Sequence, residues 1–323
     1  TIINFLKMNL ICPYTKKKLK SKKVGKKKFL IAGSKKYIIT NGIYDFRKKI
    51  SVKINDTKKF YDLRAQAYED NLYMTFKTHN VNETKERKRY IKKLNIKKNS
   101  KVLDLACGTG RDSSHIANQL GPKGYLVMQD ISSNMLGIGK KKIERLNIKK
   151  NYILSEASRI PYPDKFFDAV YSFGGLGEFE NIQESLKEMV RVTKIGGKIV
   201  VGDESVAPWL RKTNYYKILK KTNPQFEEEL PILHMPVEAR ETNLEWVLGQ
   251  SFYLIDFKVG NGEPKGNFDF VIPGLRGGTY RTRHEGEIEG VSKKAKEKLL
   301  TICKKNKNSM HEFVSKLILN YEK

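Results

Sequence analysis

The sequence predicts an α/β fold: a Rossmann-like, doubly wound, mostly parallel sheet of seven strands, with an antiparallel hairpin at one edge and a small β-rich domain in front. Residues 101–114 run from an aliphatic strand through a Gly-x-Gly turn into a polar helix start, the layout of a ligand-binding strand–turn–helix unit. From there to Asp203, apolar runs of strand length alternate with helix-length segments, the mark of a parallel sheet. Before residue 50, short apolar runs alternate with lysine-rich turns and lead to Asn41-Gly42, a strong hairpin signal. The chain divides into 1–50, a β-rich domain; 51–290, the sheet domain with an insertion at 204–246; and 291–323, a basic helical segment.

Residues 9–46 supply the short strands of the β-rich domain, and residues 48–60 read as a basic linker. Tyr61, Arg64 and Tyr68 then recur at helical spacing on one face, and residues 82–95 read as a very basic helix with a solvated face. The first core strand carries Asp104 near its end. Gly108 and Gly110 turn the chain into a helix over 111–120, stopped by Gly121-Pro122. The second strand ends at Asp130, and Ser132 caps a helix running to about residue 146. Residues 152–154 give the third strand and Phe167–Phe173 the fourth. Asn181 and Glu184 are spaced as a capping box, opening a helix to about residue 192. The fifth strand, 198–202, ends at Asp203. Phe252–Val259 and residues 268–272 are expected to pair as the edge hairpin. In the tail, Leu299, Leu300, Ile302, Phe313, Leu317 and Ile318 form the apolar stripe of one or two helices.

The formal charge of +28 invites a nucleic-acid or anionic-surface reading. Lysine far outnumbers arginine, however, and that bias is also what an AT-rich genome imposes on a solvated surface. The three cysteines, Cys12, Cys107 and Cys303, form no CxxC pair, which excludes a four-cysteine zinc site and argues against a disulfide framework. A reducing, cytoplasmic setting is expected. Residues 1–12 are too short and too soon interrupted by lysine for a signal peptide, and no run approaches the 18 or so apolar residues of a membrane span.

The turn chemistry narrows the ligand. The loop is too short for a phosphate-cradling GxxxxGK[ST], and the third glycine of GxGxxG is absent. An acid at Asp104 repels a pyrophosphate but can hold an ammonium group through the turn. A second strand-end acid, Asp130, stands where doubly wound folds meet a ribose hydroxyl. Together they suit a cationic nucleoside with an amino-acid tail, a description that fits S-adenosyl-L-methionine.

The segments LDLACGTGRDS, MQDISSNML, EASRIPYPDKFFDAVYSF and SLKEMVRVTKIGGKIVVGD resemble, in order and spacing, the successive motifs of class I S-adenosylmethionine-dependent methyltransferases of the ubiquinone/menaquinone-biosynthesis (type 11) kind. The resemblance spans residues 61–203. It implies S-adenosyl-L-methionine as cofactor and S-adenosyl-L-homocysteine as product. It places Tyr61, Arg64 and Tyr68 on a helix that closes over the cofactor, and Asp104, Ala106, Cys107, Gly108 and Gly110 in the binding turn. Asp130 and Ile131 fall beside the ribose. Glu156 and Ala157 fall beside the adenine amine, with Glu156 standing where aspartate is more usual. Ser172 and Phe173 face the reacting methyl. Residues 9–46 are similar to a small zinc-ribbon-like activator domain in which only Cys12 remains, so a metal-free version is expected.

The insertion at 204–246, rich in aromatic residues such as Trp209, follows the fifth strand and reads as an acceptor lid. His234 is the first candidate base, His284 the second, with Glu238 and Tyr216 behind them. Arg276, Arg281 and Arg283 lie in a glycine-rich loop suited to bidentate binding of an acceptor anion. Two acceptor classes follow: a metabolite or quinone-like small molecule, supported by the aromatic insertion, and RNA, supported by the charge. A cofactor-binding partner subunit without activity is a third reading. The sequence leaves the oligomeric state open.

Overall fold

The computed structural model describes residues 10–25, 27–48, 50–286 and 291–321. Residues 1–9, most of the stretch read for a leader, lie outside them. The chain forms two compact units, Thr1–Glu263 and Pro264–Lys323.

In the first unit, β1 (Lys20–Val24), β2 (Lys27–Ala32), β3 (Lys35–Thr40) and β4 (Ile43–Asp45) make an antiparallel ribbon. Asn41 and Gly42 have φ of 49° and 77°, the left-handed pair that the β3–β4 hairpin turn requires. Five parallel strands follow: β5 (Lys101–Leu105), β6 (Tyr125–Asp130), β7 (Lys149–Leu154), β8 (Phe167–Phe173) and β9 (Thr193–Glu204). β10 (Ala239–Val247) and β11 (Phe252–Val259) complete the edge in antiparallel pairing. Among the described residues the strands join in one sheet, ordered β1-β2-β3-β4-β7-β6-β5-β8-β9-β11-β10. The order reverses between β5 and β8, which opens a crevice at the strands' carboxyl ends.

Strand periodicity divides the core into two layers. On one face Leu103, Leu105, Val127 and Val170 pack with Leu186, Met189 and Val192 of α6 (Ile182–Val192). On the other, Val102, Leu126 and Met128 pack with Phe76 of α2 (Tyr73–Thr78), Tyr90 and Ile91 of α3 (Glu83–Lys92), Ile116 of α4 (Arg111–Ala117), and Leu136 and Ile143 of α5 (Ser133–Ile143). The ribbon has no separate core. Its Leu30, Tyr37 and Tyr44 join the first layer, and β4 pairs in parallel with β7.

Four expectations are corrected. Residues 52–60 are not linker: α1 spans Val52–Asn71, opened by Ser51, whose hydroxyl accepts from Ile54 N. Lysine and polar residues on a helix's wet side do not oppose the helix, so composition alone misread it. α3 is not only a solvated basic face, because Arg87, Tyr90 and Ile91 are buried. α4 and α5 stop at Ala117 and Ile143, one turn short of the expected ends. The edge hairpin pairs β11 with β10, not with residues 268–272, which carry no strand. β10 hides in a polar sequence because an edge strand is largely exposed, and its burial is concentrated at Val247.

Between Glu204 and Ala239 the chain forms α7 (Asn214–Thr222) and three 3₁₀ turns. The second unit holds α8 (Tyr280–Glu285), α9 (Lys293–Asn306) and α10 (Met310–Leu319). Leu317 and Ile318, expected on an apolar stripe, are exposed. No helix among the described residues is long and apolar enough to cross a membrane. No cluster of three or more metal-ligating side chains occurs among them either.

Candidate active site

A cavity of about 680 Å³ opens at the carboxyl ends of the parallel strands, within the 300–1,000 Å³ usual for small-ligand sites. The strand order lays its walls out in sequence. Asp130 ends β6 and Ile131 follows it, and Ser155 to Ser158 follow β7. The Ala106–Thr109 turn lies at β5, and Phe173 to Gly175 close β8. Glu204, Phe252 and the residues 222–225 form the far side, and α1 covers the opening with Phe60, Tyr61 and Tyr68.

Asp130 organises the near side. Its Oδ2 accepts the Gly108 amide at 2.8 Å and its Oδ1 the Ser132 amide at 2.8 Å, tying the β5 turn to the start of α5. Burial pushes its pKa up to about 6, against the lowering effect of those amides. Gly108 has φ +51°, and an added Cβ would stand 3.4 Å from Met135. Gly110 serves packing: at φ +73°, a Cβ there would fall 2.8 Å from Gly139 Cα, where α5 crosses the turn.

α1 is pinned to the start of α5. Asp62 accepts from the Ser132 hydroxyl and, at 3.1 Å, from Asn134 N. Although burial opposes its charge, those donors and Lys58 hold its carboxyl below the usual range. Glu69 pairs with Lys142 at 2.7 Å and with Arg111 at 3.4 Å.

Of the residues expected at a cofactor site, Tyr61, Tyr68, Ala106, Cys107, Gly108, Asp130, Ile131, Glu156, Ala157 and Phe173 line this one cavity. Arg64 is exposed instead, stacked over Phe60 at 4.0 Å. Asp104 is buried behind the turn and accepts from the Ser113 hydroxyl; burial, then Asp112 and Asp130, push its carboxyl well above the usual range. Ser172 is fully buried outside the lining. Of the acceptor-side expectations, Trp209 is exposed and donates from Nε1 to Gln250. Tyr216, His234 and Glu238 also lie outside the lining. Arg276, Arg281, Arg283 and His284 belong to the second unit, where Arg281 pairs with Asp269 and Arg283 donates to Gly277 O.

Several lining residues escaped the sequence reading. Arg87 is 5% exposed and donates to Asp112 Oδ2 at 2.6 Å and to Glu83 at 2.8 Å. Asp112 Oδ1 is left without a hydrogen-bond partner although buried. Arg87 stands three and four residues before Tyr90 and Ile91 on a helix, so only helical phase, not composition, could have shown it inside. Glu178, Glu204 and Gln225 carried no motif at all.

The ubiE/COQ5 methyltransferase family model matches residues 48–228. The chain belongs to the ubiE/COQ5 methyltransferase family. The matched segment holds α1, the β5 turn, Asp130, Glu156, Phe173, Glu204 and Gln225, so the cavity is almost wholly made from the family's part of the chain. A demethylmenaquinone methyltransferase of Listeria welshimeri is 33% identical over 150 residues, covering 45% of this chain and 62% of that protein. A ubiquinone/menaquinone biosynthesis C-methyltransferase of Francisella philomiragia is 32% identical over 170 residues, covering 51% and 64%. The chain thus spans less than two thirds of the length of these relatives. Among solved structures, phosphoethanolamine N-methyltransferase 2 of Haemonchus contortus, with S-adenosyl-L-methionine, aligns at a TM-score of 0.48 and 12% identity over 67% of this chain and 62% of that one.

Proposed function

We propose that the protein transfers a methyl group from S-adenosyl-L-methionine to a small, quinone-like aromatic acceptor. The observation that carries the reading is Asp130, which holds the Gly108 turn while lining the cavity. Its oxygens take the Gly108 and Ser132 amides, the Ile131 amide adds to them, and lone-pair capacity remains for a ribose hydroxyl. The buried, unpartnered Asp112 Oδ1 fits the ammonium of an amino-acid tail, and Glu156 with Ala157 fits an adenine edge. These residues suit the cofactor.

When bound, the cofactor supplies a methyl on a positively charged sulfur, already a good electrophile. The protein's own work is alignment and exclusion of water. Tyr61 and Tyr68, 6.0 Å apart edge to face, roof the cavity. Phe173, stacked at 5.8 Å on Phe252, walls it on the far side. Holding two reactants in line supplies about 7–11 kcal/mol of a bimolecular barrier. RNA is the second acceptor class, favoured by β1, whose five residues, three of them lysine, are all exposed.

One assay separates the two: labelled methyl transfer to a reduced, unmethylated 1,4-naphthoquinone and to total RNA. The reading expects label in the naphthoquinone and none after Asp130→Ala. Label in RNA alone overturns the acceptor, and label in neither overturns the activity on both.

A further inference from the structure

Resting on that reading, we infer that Glu204 is the group that takes the proton from a hydroxyl on the acceptor ring, with Asp203 the positioning residue behind it. The far side of the cavity holds few polar side chains, and most are already engaged. Glu178 accepts from Gln225 Nε2 at 2.6 Å and from Tyr61 OH and Thr57 Oγ1, each at 3.3 Å. Asn223 Oδ1 takes the Gln225 amide at 3.1 Å, and Thr222 donates to Leu219 O. Asp203 is held by two backbone amides, Gly177 N at 2.6 Å on one oxygen and Glu204 N at 2.9 Å on the other. Glu204 lines the cavity between these fixed groups, and the side chain that bonds it is the Asp203 carboxyl rather than a cation. Glu180 also lines the cavity but is exposed, so Glu204 is the less exposed acid left beside the aromatic walls Phe173, Phe179 and Phe252.

The surroundings raise its basicity. Burial first, then the charge and hydrogen bond of Asp203, push the Glu204 carboxyl well above the usual carboxylate range; Glu178 adds to this and the residue's own amide opposes it. Tyr61 and Tyr68 of α1 and Tyr253 of β11 also feel its charge. A more basic carboxylate stands closer to a phenol in proton affinity and is the better base for it.

The step balances as follows. The acceptor's O–H bond breaks and its proton passes to Glu204. The oxygen's electron pair moves through the ring to the adjacent carbon, which bonds the methyl while the carbon–sulfur bond breaks with its pair on sulfur. That ring carbon then loses its hydrogen as a proton to water, and Glu204 returns its own proton to the oxygen. One methyl replaces one hydrogen, and one proton is released.

The test compares wild type with Glu204→Gln, using S-adenosyl-L-homocysteine and then 1-naphthol in calorimetry, and reduced 1,4-naphthoquinone in turnover against pH. At saturating S-adenosyl-L-methionine, wild-type turnover is expected to rise with pH through one ionisation above the usual carboxylate range. Glu204→Gln is expected to lose that rise and about 10²–10⁴ in rate, to bind 1-naphthol several-fold more weakly, and to keep S-adenosyl-L-homocysteine affinity within about threefold of wild type. Unchanged 1-naphthol affinity and an unchanged pH profile in the variant overturn the assignment. So does wild type that binds S-adenosyl-L-homocysteine but neither binds 1-naphthol nor methylates the quinol. Wild type that binds no S-adenosyl-L-homocysteine overturns the methyl-transfer reading itself. Should the variant misfold, a flat wild-type pH profile is enough to overturn the assignment of Glu204.

Discussion

Asp130 does two jobs that pull its pKa in opposite directions. Burial favours the neutral acid, whereas the Ser132, Gly108 and Ile131 amides and the proposed ribose hydroxyls favour the carboxylate. With its pKa pushed up to about 6 in the ligand-free protein, the accepting form is complete above that pH and is lost below it. S-adenosyl-L-homocysteine affinity is therefore expected to be level from pH 7 to 9 and to fall by roughly tenfold per unit below pH 6. Calorimetry across pH checks this, and Asp130→Asn should flatten whatever affinity remains. Asp130 and Gly108 were legible in the sequence because a strand-end acid and a turn glycine have fixed positions relative to one another. Arg87 was not, since a buried arginine in a lysine-rich helix is marked only by the partner it meets, Asp112, 25 residues away.

The elements divide in the same way. β5 to β9 were readable because strands covered on both faces carry apolar runs, as in β6, whose first four residues are apolar and whose six residues are all buried. β10 and the first two turns of α1 were not, because their exposed faces carry ordinary solvent-facing residues. The consequence at this scale concerns α1, which Asp62 anchors at the amino end of α5 by accepting a helix-start amide. Asp62→Ala is expected to cost about 1–2 kcal/mol of stability, by analogy with the loss of a capping side chain. It should also speed release of bound S-adenosyl-L-homocysteine, because the roof carrying Tyr61 and Tyr68 loses its anchor. Thermal unfolding and stopped-flow release measure the two effects separately. An unchanged release rate would mean that Glu69, through Lys142 and Arg111, suffices to hold the helix.

Across the whole chain, one sheet joins the ribbon to the binding layer. Arg47, just after β4, is fixed by Asp45 and donates to Ile131 O at 2.9 Å, directly behind the Asp130 loop. The strand order then carries the cavity from the proposed nucleoside side at β7 and β6, past the β5 turn, to Glu204 at β9. The core topology could be derived from alternating strands and helices, but the pairing of β4 with β7 could not. Nothing in a three-residue strand specifies a neighbour more than a hundred residues away. The central claim, that this cavity holds an adenosyl methyl donor, is tested most directly by calorimetric titration with S-adenosyl-L-homocysteine. Saturable one-to-one heat in wild type, abolished by Asp130→Ala and by Gly108→Val in variants that remain folded, is the predicted result. No heat in wild type, or undiminished heat in both variants, would contradict it.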